Sequence, residues 1–143
     1  KRSETSFEVQ QSVFEKQLAL AEKQQKPVVI HCVAAFQELI EIKKRLKISV
    51  PMIIHGFSKK VELAKQLTDN GFYLSFGKNL LRNPEFKLVF LSIPNNRFLL
   101  ETDTIEEGIQ EVYALVAKYK ELELSELQEI VNKNYTAVFE FYK

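Results

Sequence analysis

Two histidines are the whole imidazole inventory of this chain, and each closes a short apolar run: Pro27-Val28-Val29-Ile30-His31 and Pro51-Met52-Ile53-Ile54-His55. A third run, Phe98-Leu99-Leu100, opens onto Glu101-Thr102-Asp103, and a fourth ends in Ser75-Phe76-Gly77. Neutral imidazole and carboxylate bind divalent zinc, manganese or magnesium, and an ion so held lowers the pKa of bound water until hydroxide exists near neutral pH. His31, His55 and Asp103 are therefore the candidate metal ligands. Three protein ligands suffice for one ion; they do not build two metal sites and also supply a bridging carboxylate or proton acceptor. A lone histidine at a strand end is more often structural, so the case rests on both histidines holding the same place in their runs.

Glu101 lies two residues before Asp103, and along an extended strand end both point the same way. It is a candidate base or a carboxylate holding a ligand histidine, with an ordinary salt-bridging acid as the plain alternative. Ser75 is a candidate contact for a phosphate oxygen or for a water on the metal. Cys32 directly follows His31 and should face the other side of its strand; with no third group to activate a thiolate, it reads as buried and inert. Gly56 and Gly77 permit tight turns, and neither belongs to a glycine-rich phosphate loop.

Bringing these groups to one edge requires parallel strands, and the apolar periodicity supplies them. Val13, Phe14, Leu18 and Ala21 fall at helical spacing, which predicts an amphipathic helix over 8–24. Pro27 then fixes the entry to a strand at 28–31, apolar on both faces as a parallel strand covered on both sides requires. A second helix over 34–46 presents Phe36, Leu39, Ile40 and Leu46; its closing Lys43, Lys44, Arg45 and Lys47 complement the helix dipole, with a phosphate patch as the second reading. A strand at 51–55 leads to a helix over 59–69 that buries Val61, Leu63, Ala64 and Leu67 and is closed by Asn70-Gly71. A strand at 72–76, a short helical piece at 84–91 and a loop at 93–97 precede the strand at 98–101. A long helix over 105–120 turns Ile109, Val112, Val116 and Ala117 inward. Ser125 with Gln128 forms a capping box for a last helix to 134, and 135–142 is an aromatic tail that packs back on the body.

Strands that recur every roughly 20–26 residues with a helix between them are the repeating unit of a parallel α/β protein. Four such units are too few for a closed eight-stranded barrel and enough for a small open sheet. Periodicity alone does not separate half of a barrel from a complete small sheet. In either case the carboxyl ends of the strands are where the chemistry sits.

The bulk composition sets the remaining bounds. A chain of 143 residues, 45% hydrophobic and 27% charged, buries one core and is expected to form a single domain over 1–143. A net charge of +1 gives no overall field for polyanions, while leaving local phosphate binding open. The single cysteine excludes an internal disulfide framework and fits a reducing compartment. No apolar run approaches the roughly 20 residues that cross a bilayer, and no leader pattern is present, so a cytoplasmic location without membrane contact is the expectation.

In order and spacing, several segments together resemble the carboxyl-terminal half of the TatD-like metal-dependent deoxyribonucleases, of the metallo-hydrolase TIM-barrel superfamily. They are Val13 to Ala21, Pro27 to Cys32, Ile54-His55-Gly56-Phe57-Ser58, Gly71 to Gly77, Leu99-Leu100-Glu101-Thr102-Asp103, and Asn134 with Phe139. The resemblance covers about residues 8–139. It implies an α/β half-barrel of about four βα units with outer helices, and one or two divalent ions (magnesium, manganese or zinc) in the complete protein. It implies hydrolysis of DNA phosphodiester bonds through a metal-activated water, with DNA as the substrate partner. His31 and His55 would be ligands from the fifth and sixth barrel strands, and Asp103 would bind metal and orient or deprotonate the water at the eighth. Glu101 would sit beside them in a catalytic role, and Ser75 would lie at the mouth of the seventh strand as a substrate contact.

The chain also departs from the family pattern. The paired histidines of the first strand and the glutamate of the fourth would precede Lys1. A half-barrel would have two open sheet edges, to be completed by an amino-terminal half or by self-association. Val33 stands where the family has a basic residue, and Asp103 runs through Thr104-Ile105-Glu106-Glu107-Gly108 almost directly into a helix instead of a long proline-rich loop. Two alternatives follow: a hydrolase of the same superfamily acting on another ester or amide, or an inactive truncated relative serving as an interaction domain.

Overall fold

Proline sets the first strand in place. Pro27 ends the turn after helix α1 (Phe7–Gln24), and strand β1 (Val28–Ile30) begins with the Val28 N–H donating to the Pro51 carbonyl at 2.9 Å. In this computed structural model the described residues are 7–31, 35–77, 79–101 and 106–140. After β1 come α2 (Phe36–Leu46), β2 (Met52–Ile54), α3 (Val61–Asp69), β3 (Tyr73–Phe76), α4 (Asn79–Arg82), α5 (Phe86–Leu91), β4 (Phe98–Leu100), α6 (Glu106–Lys120) and α7 (Leu124–Phe139). The four strands form one sheet in the order β1-β2-β3-β4, every pair parallel.

The register sorts the strand residues by parity. Val28 pairs with Met52, Ile53 with Tyr73, and Leu74 with Phe98, so even-numbered residues share one face and odd-numbered residues the other. The even set, from Val28 to Leu100, packs with Leu18 of α1, Leu39 of α2, Leu67 of α3, Phe90 of α5 and Val116 of α6 in the main core. The odd set faces the opposite side, where Ile53, Tyr73 and Leu99 meet Val138 and Phe139 of α7. A row of edge-to-face phenylalanines, Phe36, Phe57, Phe76, Phe90 and Phe98, crosses the main core with successive centroids 6.5, 6.0, 5.2 and 4.8 Å apart.

Most elements fall where periodicity puts them, and the differences have physical reasons. The expectation that the first strand is covered on both sides is corrected at Val29, which is 53% exposed: β1 is an outer strand and its odd face is open. Val13 is 51% exposed rather than inward. In α2 the innermost residues are Phe36, Leu39, Ile40 and Ile42, and Leu46 is half-buried at the end. In α3 the helix buries Ala64, Leu67 and Thr68, while Val61 and Leu63 pack at its margin. The last helix runs to Phe139 instead of 134, because Leu127, Val131, Asn134 and Val138 continue one buried stripe at helical spacing. Its cap is Glu123 in a reciprocal box with Glu126, two residues earlier than Ser125 with Gln128. Gly71 does adopt the left-handed conformation after α3, at φ +86°.

Candidate metal centre

Parity also builds the site. Ile30 pairs with Ile54 and Ile54 with Leu74, so His31, His55 and Ser75 stand level, one residue further on the odd face at the carboxyl ends of β1, β2 and β3. The ladder continues past the assigned strands: the His55 N–H donates to the Ile30 carbonyl, and the Glu101 N–H to the Phe76 carbonyl. His55 is thereby fixed at its backbone to the residue that precedes His31. Their rings lie edge to face with centroids 4.5 Å apart.

Glu101 joins them from β4. Its Oε1 accepts from His55 Nδ1 at 2.6 Å and from the Ser75 hydroxyl at 2.6 Å. Ser75 is buried, and the His55 and Glu101 side chains are mostly enclosed. An oxygen of an ionised carboxylate has two lone-pair directions, and these two donors fill them. The register puts Leu99, not Glu101, beside Ser75, so the carboxylate must lean back across Gly77 to reach the level of the histidines. Gly77 makes room for that: a Cβ there would lie 2.9 Å from the Glu101 carbonyl oxygen and 3.0 Å from its Cγ. Gly77 was legible as a turn residue; its clearance of Glu101 was not, since it involves a strand 24 residues away in sequence.

An open cavity of about 340 Å³ covers this face, lined by Val29, Ile53, His55, Ser75 and Glu101 on the sheet and by Phe139 and its neighbours on α7. A larger hollow of about 580 Å³ between α6 and α7 is lined by Gln110, Tyr113, Leu124, Gln128 and Asn132. Among the described residues its lining holds no histidine or carboxylate, and the smaller cavity holds both. Asp103 and Cys32, and Val33 with them, lie outside the described residues. Among the described residues no group of three or more His, Cys, Asp or Glu side chains could hold a metal ion. The described part does have the right donors for a ligand set: two imidazoles side by side, one of them with its Nδ1 engaged by a carboxylate, as metal-binding histidines usually are.

Elsewhere, charges serve the scaffold. Burial, then the nearby Arg97, lowers the Lys43 ammonium pKa, and burial lowers that of Lys120, which donates to Asn95 Oδ1 at 2.6 Å. Both cations sit toward the amino ends of the strands, away from His31 and His55. Arg45, in the basic run that closes α2, pairs with Glu15 at 2.6 Å and lies 4.0 Å from Glu41, so that run acts as a helix end tied to α1.

A family profile described as TatD related DNase matches residues 1–140. The chain belongs to this family. It is similar to the uncharacterised metal-dependent hydrolase YabD of Bacillus subtilis strain 168, with 30% identity over 92% of this chain and 58% of the relative. It is 28% identical to deoxyribonuclease Tat-D of Schizosaccharomyces pombe over 67% of this chain and 31% of that protein. The crystal structure of YjjV, a TatD homologue from Escherichia coli K12, superposes with a TM-score of 0.84 at 23% identity, covering 94% of this chain and 57% of that one. The fold is thus that of the TatD structures, of which this chain, with its four parallel βα units, matches a little over half. It spans just over half the length of YabD and of the YjjV structure.

Proposed function

We propose that this chain is the carboxyl-terminal half of a TatD-type metal-dependent hydrolase that cleaves phosphodiester bonds in DNA. The observation that carries the proposal is the convergence of His31, His55 and Glu101 from three parallel strands, with the imidazoles 4.5 Å apart and the carboxylate on His55 Nδ1. Zinc, manganese or magnesium suits this donor set, and when bound it supplies Lewis acidity that makes hydroxide available near neutral pH and offsets charge on a phosphoryl group.

The chain's own residues divide the remaining work. With Nδ1 turned to Glu101, His55 presents Nε2 on the other side of the ring, and His31 presents its ring beside it. Asp103, two residues beyond Glu101, is the proposed further ligand and the acceptor of the proton from the attacking water. The enclosed Ser75 and Glu101 keep bulk water from the back of the site. The named deoxyribonuclease among the relatives supports DNA over other substrates.

Hydrolysis of single-stranded DNA by the natural full-length protein with added manganese tests this reading. His31→Asn and Asp103→Asn should each lower kcat/KM by at least roughly 100-fold with the fold retained, the scale of losing a catalytic group. Undiminished metal-stimulated hydrolysis in both variants overturns it. Turnover of amide or carboxylic ester substrates, with none of DNA, moves the assignment to another hydrolase of the superfamily.

A further inference from the structure

We propose that Glu101 is a positioning residue: it holds the His55 ring in the Nδ1–H tautomer so that Nε2 is free of its proton, with Ser75 and Gly77 serving to hold and admit the carboxylate. The inference rests on the reading of His55 as a metal ligand and assigns that ligand its support.

Three observations combine. First, the His55 Nδ1 to Glu101 Oε1 distance is 2.6 Å, at or just below the short end of charge-assisted hydrogen bonds, and a carboxylate there can only accept. That places the ring proton on Nδ1 and leaves Nε2 unprotonated in the neutral imidazole. Second, the same oxygen is fixed from the other side by the Ser75 hydroxyl at 2.6 Å, and Ser75 is 5% exposed within a strand paired on both sides. The hydroxyl therefore acts as a stay on Glu101. Third, the reach of Glu101 depends on Gly77, where any side chain would press on the Glu101 carbonyl and Cγ. Three consecutive strands thus contribute four residues to the placement of a single ring: His55 after β2, Ser75 and Gly77 from β3 and its end, and Glu101 after β4.

A proton acceptor for the attacking water needs an accessible lone pair aimed at that water. Oε1 of Glu101 has both of its directions taken by His55 and Ser75, and Oε2 lies toward the turns at Gly56 and Gly77, 3.7 and 3.6 Å from where a Cβ would stand on each. Positioning accounts for both bonds and for the glycine together.

The test uses the full-length protein, first without metal. Ring nitrogen NMR at about pH 8, above the ordinary histidine range, reads the tautomer of His55, whose signal is assigned by its loss in His55→Asn. The Nδ1–H form is expected in the wild type. Glu101→Ala should release it to the Nε2–H form, and so should Glu101→Asp, which keeps the charge but withdraws the carboxylate by one methylene. Glu101→Gln, whose carbonyl can still accept from Nδ1, should retain it. Manganese titration should then show affinity falling roughly 10–100-fold in Glu101→Ala and Glu101→Asp and much less in Glu101→Gln. Folding is checked by circular dichroism, and Glu101→Asp carries the test if Glu101→Ala does not fold. Retention of the Nδ1–H tautomer in the Ala and Asp variants overturns the proposal, as does manganese affinity within twofold of wild type in a folded one. A tautomer switch in a protein that binds no manganese at all supports the positioning and overturns the metal reading instead.

Discussion

Asn134 shows how much one buried amide can do in this chain. It is 4% exposed, and its Nδ2 donates to the carbonyls of Asn95 and Phe98, each at 2.8 Å, joining α7 to the loop before β4 and to β4 itself. Asn134→Ala leaves both acceptors without that donor, and the expected loss is about 1–3 kcal/mol in urea-denaturation stability. Asn134→Asp should cost at least as much near neutral pH, since an ionised carboxylate offers no donor at all. Manganese affinity should be unchanged in both, because these contacts lie at the opposite end of β4 from Glu101. At the other end, Gly77→Ala has the reverse signature. The added methyl meets the Glu101 carbonyl at 2.9 Å and Cγ at 3.0 Å, so the variant should fold but bind manganese about tenfold more weakly, measured by titration beside circular dichroism. Neither role is legible from residue type. An asparagine in a helix and a glycine after a strand have dozens of ordinary explanations, and only the cross-strand neighbour distinguishes them.

At the scale of elements, far more was readable, because strand and helix periods are local properties. The four strands, the long helices and the placing of His31, His55 and Glu101 at strand ends all follow from apolar spacing and from Pro27 and Pro51. What local spacing missed were long-range ties. Glu22, on α1, accepts from the backbone N–H groups of Ser49 and Val50 at 2.8 and 3.0 Å and from the Ser49 hydroxyl, and so holds α1 to the turn that feeds β2. Burial acts to raise the Glu22 pKa, but these hydrogen bonds outweigh it and hold the carboxyl below its ordinary value. A carboxyl lowered on folding contributes stability that is present above its unfolded pKa, about 4.3, and lost as pH falls through the folded value. Glu22→Gln should therefore be less stable than wild type at neutral pH, with the gap closing below about pH 4 in parallel acid titrations of denaturation midpoint. Solvent screening at this surface keeps the gap small. The phenylalanine row is a larger quantity: Phe90 is fully buried between Phe76 and Phe98, and Phe90→Ala should cost about 3–5 kcal/mol in the same assay.

At the level of the whole molecule, one flank of the sheet carries, among the described residues, a group of exposed apolar side chains. Val29 is 53% exposed on β1, while Ile53, its partner in the register, is 2% exposed. On α1, the element just before it, Val9, Val13 and Leu20 are 51%, 51% and 53% exposed. β1 and β4 are the outer strands of a fully parallel sheet, and parallel sheets are ordinarily covered on both faces. This chain matches 57% of the YjjV structure, and a barrel completed in that fold would place further strands beside both β1 and β4. This makes a prediction that exposure in the half-barrel alone would get wrong. Leu88 on α5 is 69% exposed and lies away from that flank, so Leu88→Lys in the full-length protein should change stability by no more than about 0.5 kcal/mol, as surface substitutions do. Val29→Lys, at a less exposed position, should destabilise the full-length protein by several kcal/mol or prevent folding, because closing the barrel would bury an unpaired ammonium in its interior. Val13→Lys should fall between the two, since a lysine at a helix–helix seam can extend its charge to solvent. Urea denaturation of the three variants checks the ranking, and equal small effects at Val29 and Leu88 would show that nothing closes over the odd face of β1.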